Sequence, residues 1–344
     1  MSNSSEQYKE SQRLWQALFT TAGGWSKAEV LPDHASVTGP ALAGMDGTVH
    51  CVHRGAHEKS DELLAVKRTF RTPAQADAWA PDITDENAVS LETPALVNDN
   101  GTLRMITTHY SGNTGRLLEQ KLETFNGRLV WSLAEPFGAD DCVAPAMAVL
   151  NGEVHLVCAS LAGHSVRHLI RKPSGRWERA VGPDGKDVET PGLGNFPGFR
   201  EGYQSPWPHP GLALTVHDGQ LHMVLGKTDN YPTLHHCVFD GRAWSDPEEP
   251  IEWRGASEDD PRSLQTGQGA ALASYAGKLH AVYPANDANQ NLRHTTWTKD
   301  NGWSTPEIIE GHRSEHTPAL LTIKDAGSSG EALLLIHRGV TPSR

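Results

Sequence analysis

The chain has 344 residues, with 30 Lys and Arg against 42 Asp and Glu for a formal net charge of −12. That balance argues against a nucleic-acid-binding surface, because phosphate recognition needs a basic stripe and none is visible. No apolar run approaches the ~18 residues of a membrane span, and Met1 to Gln12 is polar without the apolar core of a secretory signal. A soluble cytoplasmic protein is expected, with release by a signal-independent route left open.

In chain order, Ser2 to Leu18 is the best candidate for a helical start, but its latter part reads as a β-run. Leu14-Trp15-Gln16-Ala17-Leu18-Phe19 leads to the turn Gly23-Gly24-Trp25-Ser26. A phrase then begins that recurs six times. Its copies run from Pro40-Ala41-Leu42 to Gly47-Thr48-Val49-His50, from Pro94-Ala95-Leu96 to Gly101-Thr102-Leu103-Arg104, and from Pro145-Ala146-Met147 to Gly152-Glu153-Val154-His155. Leu212-Ala213-Leu214 to Gly219-Gln220-Leu221-His222 and Ala270-Ala271-Leu272 to Gly277-Lys278-Leu279-His280 follow, and Pro318-Ala319-Leu320 opens a looser sixth copy ending at His337-Arg338-Gly339. Apolar and polar residues alternate with a period near two, and Asp46-Gly47, Asn151-Gly152 and Asp218-Gly219 suit tight hairpins because they accept positive φ. A period of roughly 50 to 60 residues built from β-runs is that of a propeller blade.

After each hairpin comes a third run and a tryptophan turn, such as Leu292 to Trp297 followed by Asn301-Gly302-Trp303-Ser304. The sixth copy reaches Arg344 before any such pair, and the pair it lacks stands at the N-terminus. The predicted fold is therefore all-β: a six-bladed β-propeller of four-stranded antiparallel blades, its closing blade shared between the two ends of the chain. Residues 13–31 are assigned to the outer strands of the closing blade, and 316–340 to its inner strands. Residues 36–85, 90–137, 142–182, 210–250 and 266–309 make blades 1 to 5 of a single domain. Cys51, Cys142, Cys158 and Cys237 contain no C-x-x-C pair and are expected as packed free thiols.

Thr298-Lys299-Asp300-Asn301-Gly302-Trp303 resembles, in a shortened form, the Asp-box hairpin of sialidases, which joins the third and fourth strands of a blade. More degenerate versions are Thr21 to Trp25, Pro173 to Trp177 and Asp240 to Trp244. The resemblance implies the propeller fold over nearly the whole chain. It does not carry sialidase activity, since that family anchors its substrate carboxylate with three arginines, the first in an Arg-Ile-Pro motif absent here. The resemblance extends to bacterial and fungal propeller lectins, whose sugar pockets combine an aromatic platform, an arginine and an acidic or amide group.

Ligand groups are expected on the loops of one face, around the channel mouth, where a rigid scaffold holds them. They are Arg54, Arg338, Tyr110, Lys227, Asp229, Tyr283 and Asn286, with Phe199, Tyr203 and Trp207 from the long Pro/Gly-rich stretch between Trp177 and Leu212. Arg54 and Arg338 come together if blades 1 and 6 are neighbours, and two guanidiniums there suit a carboxylate, sulfate or phosphate. The favoured function is a carbohydrate-binding, lectin-like propeller taking a glycan or other small polar ligand, without a cofactor. The alternatives are an enzyme with one pocket at the mouth, using His53, His109 or His337 as acid and base, and a protein-interaction scaffold. No metal site is expected, because no short ligand spacing such as H-x-E-x-x-H occurs. His50, His155, His222 and His280, and the turn residues Trp25, Trp177, Trp244 and Trp303, recur in register. Recurrence points to shared structural contacts.

Overall fold

A computed structural model describes residues 12–55, 65–72, 78–111, 114–160, 165–188, 190, 211–227, 233–246, 269–285, 289–324 and 330–340. Its strands form six antiparallel sheets, one per blade. Blade 1 runs outward from the channel as Ala41–Met45, Thr48–Arg54, Ala65–Arg71 and Ile83–Val89. Blade 2 comprises Ala95–Asp99, Thr102–Ser111 and Thr114–Phe125, whose outer edge is shared by Arg128–Trp131 and Glu135–Asp140. Blade 3 is Cys142–Leu150, Glu153–Ser160, Ser165–Arg171 and Trp177–Arg179, and the described part of blade 4 is Leu212–His217, Gln220–Lys227 and Thr233–Phe239. Blade 5 is Ala271–Tyr275, Lys278–Pro284 and Asn291–Thr298, edged by Gly302–Trp303 and Glu307–Arg313.

The closing blade takes its inner strands, Ala319–Lys324 and Glu331–Arg338, from the C-terminal end and its outer strands, Arg13–Thr20, Gly24–Trp25 and Glu29–Ala35, from the N-terminal end. Leu14 pairs with Arg338 and Phe19 with Leu333, so Arg13–Thr20, the latter part of the helix candidate, is a strand buried inside this sheet. Zipping the two ends together leaves neither sheet edge unpaired at the seam.

Each of the five inner hairpins whose turn is described bends through two residues of positive φ, as at Asp46 (50°) and Gly47 (75°), the geometry that matches strand twist in a two-residue loop. At the channel mouth the blades nearly touch. A Cβ on Gly39 would stand 2.1 Å from the Thr317 carbonyl oxygen, and one on Gly211 would stand 2.1 Å from the Gly269 Cα, so both positions exclude any side chain.

The apolar core is divided into six clusters, one between each pair of neighbouring blades. Leu14, Leu31, Val49, Cys51, Leu334 and Ile336 fill the seam between the closing blade and blade 1. Full burial of each large aliphatic residue stabilises by roughly 1.5–3 kcal/mol. Successive residues of a strand face opposite neighbours. In blade 1, Val49, Cys51 and His53 face the closing blade, whereas His50, Val52 and Arg54 face blade 2.

Three of the four recurring histidines join the tryptophans in a latch between blades, whereas His50 makes no hydrogen bond among the described residues and lies against Phe70. His155 Nδ1 lies 3.0 Å from His168 Nε2, and the indole N–H of Trp244, in the next blade, donates to His168 Nδ1 at 3.3 Å. That donation leaves the His168 proton on Nε2, from which it is given to His155. Blade 5 repeats the chain with His280, His294 (2.8 Å) and Trp25 (3.2 Å), while blade 4 pairs His222 with His236 at 2.9 Å beneath Trp303. In blade 2 the same positions hold charge. Glu119 accepts from Arg104 Nη1 (3.0 Å), Arg171 Nε (3.0 Å) and the Trp177 indole (2.7 Å). At the seam the positions are held by Leu334 and Gln16, and Trp79 of blade 1 donates to Gln16 Oε1 at 2.8 Å. The structure thus gives the repeated aromatic and imidazole groups a structural role.

All four cysteines are free and buried, as the sequence pattern implied. Among the described residues no helix is long and apolar enough to cross a membrane.

Candidate functional site

Second strands end, and innermost strands begin, on the same face of the ring, so the residues just before each innermost strand encircle the channel mouth. They line a cavity of about 610 Å³ that includes Thr38, Glu92, Thr93, Glu315, His316 and Thr317. Five of the six contributing blades offer mostly Ala, Pro, Gly, Leu and Met there, and the polar groups gather where blades 1, 2 and the closing blade meet.

Arg54, at the end of its strand, donates from Nη1 to the Leu91 carbonyl at 2.5 Å, and the charge of Glu92 acts on the same guanidinium. Arg338, the equivalent residue of the closing blade, approaches Glu315 Oε2 through Nη1 at 3.4 Å. Glu92 Oε2 also accepts the backbone N–H of Ala144 at 3.0 Å, where the blade 3 strand is bulged and Ala144 has a φ of 50°. His316 lies within reach of the charges of both arginines. Burial, reinforced by the positive charges of Arg338 and Arg54, holds its pKa down at about 3. At neutral pH it is an uncharged imidazole beside two guanidiniums and two carboxylates, rimmed by three threonine hydroxyls.

The two His-Arg segments therefore do meet, but consecutive residues part ways. Arg54 and Arg338 reach toward Leu91 and Glu315 behind the cavity wall without lining it, while His53 and His337 are turned into the blade interfaces and are fully buried. His53 Nε2 lies 3.1 Å from Asp82 Oδ1, and His337 Nε2 lies 3.1 Å from His312 Nδ1. Neither lines the cavity, which removes the geometric basis for treating them as its acid and base. His109 likewise lies off the cavity, bonded to the Val89 backbone. Tyr283 is fully buried opposite Arg293, in the strand position of His53, and offers no stacking face. Lys227 ends a strand of blade 4 and Tyr110 lies within one of blade 2. Asp229, Asn286, Phe199, Tyr203 and Trp207 lie outside the described residues.

Glu92, Glu315 and His316 were not picked out from the sequence. Their signal was present in the parallel segments Ser90-Leu91-Glu92-Thr93-Pro94 and Ser314-Glu315-His316-Thr317-Pro318, each leading into the recurring phrase.

Fold and cavity together define a six-bladed propeller with one asymmetric polar site at its channel mouth. No protein-family model and no curated protein sequence matches the chain. Solved propellers do resemble it in structure. The intramolecular trans-sialidase from Ruminococcus gnavus in complex with oseltamivir carboxylate superposes with a TM-score of 0.57 at 10% identity, covering 90% of this chain and 92% of that one. A variant of the Aleuria aurantia lectin in complex with Fucα1-6GlcNAc gives 0.55 at 11% identity, covering 87% and 89%. The Trypanosoma rangeli sialidase with 2,3-difluorosialic acid gives 0.55 at 12% identity over 93% of this chain, which spans only 56% of that enzyme's length. At such identities the likeness is one of fold.

Proposed function

We propose that the protein binds a saccharide at a single site on the channel mouth, contacted by Glu92, Glu315 and His316 and backed by Arg54 and Arg338. The observation that carries this reading is the gathering of two carboxylates and a neutral imidazole, Glu92, Glu315 and His316, on one cavity of about 610 Å³, with Arg54 and Arg338 held behind them through Leu91 and Glu315. A polyhydroxylated ligand needs closely spaced donors and acceptors of both kinds, and a few such groups in a concave, partly apolar site fix its orientation. Likeness to sialidase and lectin propellers supports the same class of ligand by analogy of fold.

Binding is favoured over acid–base catalysis by the state of His316. A general acid works best with a pKa near the working pH, and His316, at about 3, is unprotonated there. A multivalent lectin with one pocket per blade is disfavoured, because the residues that repeat are buried in the latches and the mouth cluster does not repeat. The test is a glycan array followed by calorimetric titration of the hits. One saccharide per chain is expected, with affinity reduced at least tenfold in the Arg54→Ala, Arg338→Ala double variant. Absence of binding at millimolar saccharide, or several equivalent sites per chain, refutes the proposal.

A further inference from the structure

We propose that His34, His53 and Asp82 form a site for one divalent transition metal of the zinc class, at the seam between the closing blade and blade 1. His34 lies in the outermost strand of the closing blade, Glu29–Ala35, and His53 in the second strand of blade 1. Asp82 immediately precedes the outer strand of blade 1, Ile83–Val89. Asp82 Oδ1 stands 2.6 Å from His34 Nδ1 and 3.1 Å from His53 Nε2, and the three donor atoms lie within 4.8 Å of one another. The imidazoles are 3% and 0% exposed and the carboxylate 13%.

The case for a cation rests on convergence: His34 Nδ1 and His53 Nε2, from two different blades, both address the same carboxylate oxygen, Asp82 Oδ1, in a buried pocket. Beyond the cluster, His53 Nδ1 lies 3.5 Å from the Arg54 backbone carbonyl, as His337 Nδ1 lies 3.2 Å from that of Arg338.

Comparison with the next seam shows that the carboxylate is an addition to the scaffold. His312 and His337 occupy the positions of His34 and His53, and there the two rings meet directly at 3.1 Å, with His312 Nε2 directed at the Ser26 carbonyl, 3.2 Å away. At the blade 1 seam the two rings both address Asp82. Two imidazole nitrogens and one carboxylate oxygen match zinc-class ions, not calcium or magnesium, which prefer all-oxygen shells. The Arg54 carbonyl would then act as the outer partner that orients a ligating histidine. Three protein ligands leave a fourth position, and Asp82, the least buried of the three, marks the side from which water reaches it. His34, His53 and Asp82 are 19 and 29 residues apart and come from two strands and the residue before a third, so no short spacing announces them.

The test uses the full chain, stripped by chelation and titrated separately with Zn²⁺ and Co²⁺. We expect uptake of one ion per chain, visible Co²⁺ d–d absorption and a raised Tm with Zn²⁺. Asp82→Asn and His34→Gln are each expected to weaken binding about tenfold or more, with folding checked by circular dichroism. If one variant fails to fold, the other carries the comparison. No stoichiometric uptake by the wild type, or uptake unchanged in a folded variant, overturns the proposal, as does ¹⁵N NMR showing a doubly protonated His53 that Zn²⁺ does not alter. Saccharide binding is a separate readout at a different site, so its failure leaves this result interpretable.

Discussion

Lowering the pH through the range in which free imidazole titrates should unlatch the blades. Burial depresses His155 to about 4 and His168 to about 3, with His155 as a further cause for His168; His280 and His294 behave the same way at about 4 and about 3. A histidine whose folded pKa lies below its unfolded value of 6.5 leaves stability intact above pH 6.5. Below that pH the unfolded chain binds protons that the folded chain does not, and stability falls until the folded pKa is reached. Each such proton is worth about 1.4 kcal/mol per pH unit. The four histidines together remove on the order of 9 kcal/mol between pH 6.5 and pH 4.5. That is comparable with the whole stability of many domains. Urea denaturation at pH 7.5, 6.5, 5.5 and 4.5 measures it, with His294→Gln as the control. Glutamine still accepts from the Trp25 indole but does not titrate, so that variant should cost about 1 kcal/mol at pH 7.5 and show a shallower loss toward acid. An unchanged pH slope in His294→Gln would refute the assignment of the acid sensitivity to the latches.

Two other perturbations test the frame. Glu119→Ala strips Arg104, Arg171 and the Trp177 indole of a shared acceptor and should cost about 3–5 kcal/mol, the range for removing one partner of a buried ion pair; a loss below about 1 kcal/mol in denaturant titration contradicts the latch model. Leu335→Ala, fully buried in the sheet that joins the two chain ends, should cost about 2–5 kcal/mol, whereas the exposed Leu133→Ala should change stability by less than about 0.5 kcal/mol.

The frame was legible because it repeats. Six copies of a phrase report the same local requirement six times, and the missing tryptophan turn located the seam that Leu14 and Arg338 now close. The proximity of Arg54 and Arg338 followed from that closure alone. What the sequence did not reveal is which way each residue of a His-Arg pair faces, since this depends on which sheet neighbour occupies each side. Arg54 and His53 are adjacent in the chain and serve different interfaces. Glu92 and His316 occupy equivalent positions but differ in chemistry, so reading for repetition passed over them. The His34, His53 and Asp82 cluster depends on the packing of two blades and has no sequence signature.

The most direct test of the single-site account is the calorimetric stoichiometry of an array-identified saccharide, measured on the wild type and on the Arg54→Ala, Arg338→Ala double variant. The account predicts one site per chain in the wild type and its loss or severe weakening in the variant, with the fold intact by circular dichroism. Several sites per chain, or one site indifferent to both arginines, would contradict it.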